Sequence, residues 1–99
     1  MCLFCDLQKA AVKANELSYF IFDKYPTSAG HSLIIPKRHI ETVFDATDKE
    51  WAALGSMINT AKAEIEKTHS PKGYNIKINC GAAAGQEIMH AHIHLVPKY

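Results

Sequence analysis

The stretch Met89 to Pro97, MHAHIHLVP, alternates without a break: His90, His92 and His94 against Met89, Ala91, Ile93 and Leu95. A period of two is the spacing of side chains on the two faces of a β-strand, and an α-helix does not put i, i+2 and i+4 on one side. EIMHAHIHLVP (Glu87 to Pro97) therefore predicts a strand that turns an apolar face to a core and three imidazoles the other way. Such a strand needs neighbours and a cover. LSYFIFD (Leu17 to Asp23) and HSLIIP (His31 to Pro36) are β-rich runs joined by the turn-like KYPTSAG, and YNIKIN sets Tyr74, Ile76 and Ile78 against Asn75, Lys77 and Asn79. The cover lies between them. Thr47 with Glu50 three residues on is a capping box, and Trp51, Leu54, Ile58, Ala61 and Ile65 form an apolar stripe at steps of three and four. These predict a helix from about Asp48 to Thr68, stopped by Pro71 and Gly73, with Lys62, Glu64, Glu66 and Lys67 on its solvated face. Without a βαβ rhythm, the expected class is α+β: an antiparallel sheet with one long helix packed on one face.

The chain has 99 residues, 47% of them apolar, which suits one modest core and predicts a single domain over 1–99. A net charge of +1 argues against a broad nucleic-acid footprint, and no apolar run is long enough to cross a bilayer. The opening MCLFCDLQKA lacks the layout of a signal peptide, so the expected compartment is the cytoplasm. There Cys2 and Cys5 read as thiolate ligands or as plain apolar residues, and Cys80 as buried and inert.

The apolar face of the histidine strand explains itself as core; the imidazole face does not. Three readings compete. The histidines are ordinary outward-facing polar residues; or two of them at i, i+2 bind zinc, the third lying about 13 Å from the first at ~3.3 Å per residue; or one is a nucleophile with neighbours that orient it and bind a phosphate. The loop ahead of the strand, NCGAAAGQ (Asn79 to Gln86), favours the last, because small residues let backbone N–H groups approach an anion.

HAHIHLV resembles the His-x-His-x-His-x-x motif of the histidine triad (HIT) family of nucleotide hydrolases and transferases. FDKYPTSAGHSLIIPKRHI and INCGAAAGQEIMHAHIHLVP are similar to further segments of that family, so the likeness covers most of the chain from Cys2 to Pro97. It implies that His92 attacks the α-phosphate of a purine nucleotide and forms a nucleotidyl-histidine, which water then hydrolyses to a nucleoside monophosphate. It further implies that the carbonyl of His90 fixes the tautomer of His92, that His94 donates to a phosphate oxygen, and that His31 completes the polar network. A single structural hydrogen bond is the alternative for His31. Asn79, Gly85, Gln86 and Glu87 fall in the phosphate loop, and Asp23 where the family binds the ribose hydroxyls, though a turn residue before KYP is also possible. Leu3, Phe4, Ile21 and Phe22 are candidates for a base pocket or for core.

The resemblance to the zinc-containing, bacterial-type branch implies a structural Zn²⁺ on Cys2, Cys5, His39 and His90. It also implies a homodimer. Two departures from the family pattern stand out. Glu87 occupies a position where relatives commonly carry Ser or Thr to pass a proton to the leaving group; ionised, it would repel a polyphosphate instead. The chain printed here ends at Tyr99, whereas family members often continue in a tail that shapes substrate choice. The expected activity is hydrolysis of dinucleoside polyphosphates of the diadenosine tetraphosphate type, or of nucleoside phosphoramidates. The alternatives are a nucleotide-binding or signalling module with negligible turnover, and a zinc protein whose histidines serve only metal.

Overall fold

The computed structural model describes residues 2–99. The expected domain, 1–99, therefore includes one residue, Met1, that lies outside those described. Five antiparallel strands form one sheet: β1 (Lys13–Ala14), β2 (Ser18–Phe22), β3 (Ser32–Pro36), β4 (Gly73–Lys77) and β5 (Ile93–Lys98), in the order β1-β2-β3-β5-β4. Two helices flank it, α1 (Leu3–Leu7) and α2 (Asp48–Glu66), with short 3₁₀ turns at Gln8–Ala10, Val43–Asp45 and Ala82–Ala84. The fold is α+β, with the long helix on one face as the patterning predicts.

The capping box forms as read: Glu50 N–H donates to Thr47 Oγ1 (3.1 Å) and Thr47 N–H donates to Glu50 Oε1 (2.9 Å). The buried stripe of α2 differs from the expected one. It runs Glu50, Leu54, Met57, Ala61, Ile65, while Trp51 is 42% exposed and Ile58 only half-buried. Glu50 takes the first inward place because Arg38 Nε and Nη2 donate to its carboxylate at 3.0 and 2.8 Å, so the charge goes inward paired and Trp51 turns outward. The helix ends at Glu66, two residues earlier than expected.

The sheet carries an apolar cluster on each face. On the α2 face lie Phe20, Ile34, Ile93 and Leu95 with Leu54, Met57, Ala61 and Ile65. On the other, Tyr19, Ile21, Leu33 and Ile35 are covered by Phe4 from α1, with Cys2, Leu7 and Ile88 around it. Helix α1 and the short edge strand β1 were not anticipated, since neither is long enough to show a period. Tyr19, fully buried, donates its hydroxyl to the Phe4 carbonyl and so ties α1 to the sheet. Burial pushes that phenol well above its ordinary value, keeping it a donor.

The last strand begins later than the alternation suggested. Glu87 to Ala91 and His92 are not in β5; only His94 of the three histidines is. Pairing with β3 stops at Ile34↔Ile93, because Pro36 has no N–H to offer and its carbonyl accepts from His90 Nε2 (2.8 Å) instead. The facing nonetheless follows the alternation: Ala91, Ile93 and Leu95 enter the helix-side core. Met89 does not; it is 41% exposed in the bend that precedes the strand.

Candidate functional site

Each of the three histidines is held by a different partner, and those partners fix where its hydrogen sits. His92 Nδ1 lies 2.8 Å from the His90 carbonyl. A carbonyl can only accept, so Nδ1 carries the hydrogen and Nε2 keeps its lone pair. His92 is 8% exposed and packs edge-on against Phe4, ring centroids 5.0 Å apart. His94 is reached through His31. Thr27 N–H donates to His31 Nδ1 (3.2 Å), which places the His31 hydrogen on Nε2. That nitrogen lies 3.0 Å from His94 Nδ1 and 3.5 Å from Asp23 Oδ2. His94 thus accepts at Nδ1 and carries its own hydrogen on Nε2. Burial lowers the pKa of both rings, His94 to about 4 with further lowering from His92 and His31, so both are neutral near pH 7.

His92 and His94 line a cavity of about 440 Å³ together with Phe4, Leu33, Ile88, Asp23, Tyr25, Lys77, Asn79, Gly85 and Glu87. A second, mostly apolar cavity of about 580 Å³ adjoins it and shares Phe4, Asp23, Tyr25, Leu33 and Ile88. Leu3, Ile21 and Phe22 belong to its walls. Phe4 and Ile21 serve both as core and as wall, being 1% and 8% exposed. The joined space has a polar, histidine-lined half and an apolar half with a carboxylate between them. That suits a molecule with one anionic and one flat apolar end.

The glycine loop shapes the polar half. Gly81 and Gly85 have φ of +91° and +94°, where an L side chain is strained. Gln86 is 3% exposed and does not line the cavity. Its Oε1 accepts from Gly81 N–H (2.8 Å) and its Nε2 donates to the carbonyls of Glu41 and Ile88 at 2.6 and 2.9 Å, so it braces the loop from within.

A second cluster sits behind Phe4. One ligand atom from each of Cys2, Cys5, His39 and His90 lies within 4.8 Å of the others. Cys2 Sγ is 3.1 Å from His90 Nδ1, and Cys5 Sγ is 3.6 Å from His39 Nδ1. Both rings donate the opposite N–H to a backbone carbonyl: His90 Nε2 to Pro36 (2.8 Å), His39 Nε2 to Met89 (3.0 Å). Their Nδ1 lone pairs are thereby aimed at the thiols, the arrangement by which outer hydrogen bonds prepare imidazoles as metal ligands. Burial lowers the pKa of His90, and the Cys2 thiol raises that of Cys5. The donor set fits a tetrahedral divalent ion. Asp23, His31 and His94 are close enough for a cation too. There the Thr27 amide decides otherwise, since it leaves His31 Nε2 a donor without a lone pair.

A family model described as HIT domain matches residues 6–99. The chain belongs to the HIT family. The adenylylsulfatase HINT3 of Arabidopsis thaliana is 35% identical over 102 residues, covering 98% of this chain and 52% of its own length. An AP-4-A phosphorylase of Mycobacterium tuberculosis is 32% identical over 95 residues, covering 95% and 49%. The crystal structure of a HIT family protein from Bacillus anthracis superposes with a TM-score of 0.90 at 30% identity, over 99% of this chain and 73% of that one.

Within this HIT domain the residues named from sequence divide into two groups. Asp23, Asn79, Gly85, Glu87, His92 and His94 share the cavity; His90 and His39 face the thiols, and His31 reaches the cavity only through His94. Tyr25, Leu33, Lys77 and Ile88 were not foreseen as lining residues. For Lys77 a signal existed, because the alternation of YNIKIN puts it on the face of Asn79. No helix is long and apolar enough to cross a membrane among the described residues.

Proposed function

We propose that this HIT domain is a hydrolase acting at the α-phosphate of purine dinucleoside polyphosphates or nucleoside phosphoramidates, through a nucleotidyl-histidine at His92. The observation that carries the reading is the 2.8 Å contact of His92 Nδ1 with the His90 carbonyl, which leaves the Nε2 lone pair free at the cavity. In the first step a bond forms between His92 Nε2 and the α-phosphorus. The bond to the leaving group breaks, and that group departs with its electron pair. His94 donates from Nε2 to a non-bridging oxygen, and its neutrality is kept by burial and by the bond from His31. Asn79 and the backbone about Gly85 and Gln86 hold the other oxygens. In the second step water attacks phosphorus, His92 regains its lone pair, and a nucleoside monophosphate leaves. The apolar cavity takes the base, and Asp23, at the junction of the two cavities, accepts from the ribose hydroxyls.

Zn²⁺ on Cys2, Cys5, His39 and His90 would cross-link α1 to the loops that carry these two histidines. Its chemistry there is structural: four protein ligands leave no open position. The domain is further proposed to work as a homodimer, since β4 is an edge strand with Ile76 56% exposed.

The test is turnover of diadenosine tetraphosphate and of an adenosine phosphoramidate, with products separated. His92→Gly should lower kcat by a factor of about 10⁴ or more while leaving AMP affinity nearly intact, because bond-making is lost and binding is not. A variant that keeps a tenth of wild-type kcat would rule out covalent catalysis at His92.

A further inference from the structure

The sheet order puts β2 and β3 on one side of β5 and β4 on the other. The apolar cavity belongs to the first side, lined by Ile21, Phe22, Leu33 and the residues of α1. Lys77 belongs to the other: it is the residue of β4 directly across from His94. Cross-strand partners project to the same face, so the ammonium stands beside the His94 imidazole, and Lys77 lines the same cavity. No other lysine or arginine lines that cavity among the described residues. Nor does Lys77 take part in any ion pair found among them, although Glu87 lines the same space. An exposed cation on the cavity wall with no carboxylate partner among the described residues, next to a histidine proposed to donate to a phosphate, is a vacant anion contact.

Its placement along the strand says which anion. Asn79 follows Lys77 by two residues on the face that the alternation assigns to both. β4 ends at Lys77 and Asn79 lies just beyond it; both line the cavity on the side of β5 away from β2 and β3. The nucleoside end of a substrate, seated over β2 and β3, cannot reach Lys77; a group on the far side of the scissile bond can.

We propose that Lys77 is a specificity-determining residue that binds the phosphate next to the one attacked, and so favours leaving groups that carry an anionic phosphate over neutral amines. The inference rests on the nucleotide reading of the cavity given above. Glu87 on the same lining opposes it, so the preference is set by the balance of the two charges.

The test uses full-length wild type, Lys77→Gln and Lys77→Arg, titrated calorimetrically with AMP and with ADP. Wild type should prefer ADP. Lys77→Gln should weaken ADP about tenfold, as expected for one charge-assisted contact, with a much smaller effect on AMP, and Lys77→Arg should retain the preference. The ratio of kcat/KM for diadenosine tetraphosphate to that for a neutral-amine phosphoramidate should fall by a similar factor in Lys77→Gln. Equal losses for AMP and ADP, or no loss for either, would overturn the assignment of Lys77 while leaving the hydrolase reading in place. A wild type that binds neither nucleotide removes the cavity reading, and this inference with it.

Discussion

His94 shows how far neighbours can change one side chain. Burial first, then His92 and His31, bring its pKa down to about 4 from an ordinary 6.5. Between those values the unfolded chain binds the proton and the folded chain does not, so stability is full above pH 6.5 and falls as pH drops toward 4. His94→Gln should flatten that limb of a plot of melting temperature against pH; an unchanged limb would contradict the assignment of His94 as a half-buried, neutral group. Replacing His31 by Ala should free the His94 ring and lower kcat by a factor of about 10², since it removes the bond that orients His94. Glu87→Thr should lower KM for diadenosine tetraphosphate more than for a neutral-amine phosphoramidate, because it removes a carboxylate from the phosphate end of the cavity; a fall in kcat confined to the phosphoramidate would make Glu87 a proton donor instead. The histidines, Asp23 and Asn79 were legible because side-chain identity and spacing carry their chemistry. The Thr27 amide was not, because a backbone N–H aimed at His31 Nδ1 leaves no mark on residue type.

At the scale of elements, α2 was legible from its cap and less so from its stripe. The capping box names its own residues, whereas a stripe tolerates a rotation of about 100° per residue. Glu50 is why that rotation went unforeseen: hydrogen bonds from Arg38 first, and then from the Thr47 backbone, hold its carboxyl down at about 2 and let a charge occupy a core position. That stabilisation is present above the ordinary carboxylate value of 4.5 and is lost as pH falls toward 2. Glu50→Ala should cost about 1–3 kcal/mol in urea unfolding, from the lost cap and the unpaired Arg38. A variant as stable as wild type would show that neither bond matters. Strand β5 was misjudged at its start, since alternation reports facing and not pairing: His90 and His92 keep the right faces without belonging to the ladder. Helix α1, at five residues, has too few turns to show a period at all.

At the scale of the molecule, one residue joins the two clusters. Phe4 packs edge-on against His92 on one side and lies 5.8 Å, ring to ring, from His90 on the other, while Cys2 and Cys5 flank it in sequence. Chelation of the proposed Zn²⁺ should therefore lower the melting temperature and weaken AMP binding together, because metal-binding energy at such a site is folding energy. Protein purified without chelator that contains no metal and is stable would refute the site. Ile76→Glu should halve the sedimenting mass if β4 forms the dimer edge, and a monomeric wild type would refute the dimer. In the proposed reaction these features serve one event, the transfer of a nucleotidyl group to an imidazole whose other nitrogen is tied to its own chain. The proposed transfer has a direct test: mix the protein with diadenosine tetraphosphate, quench in alkali, where a phosphorus–nitrogen bond survives, and locate any added mass by peptide mass spectrometry. The account predicts an AMP adduct on His92 that forms and decays with turnover; turnover with no adduct, or an adduct on His31 or His94 instead, would contradict it.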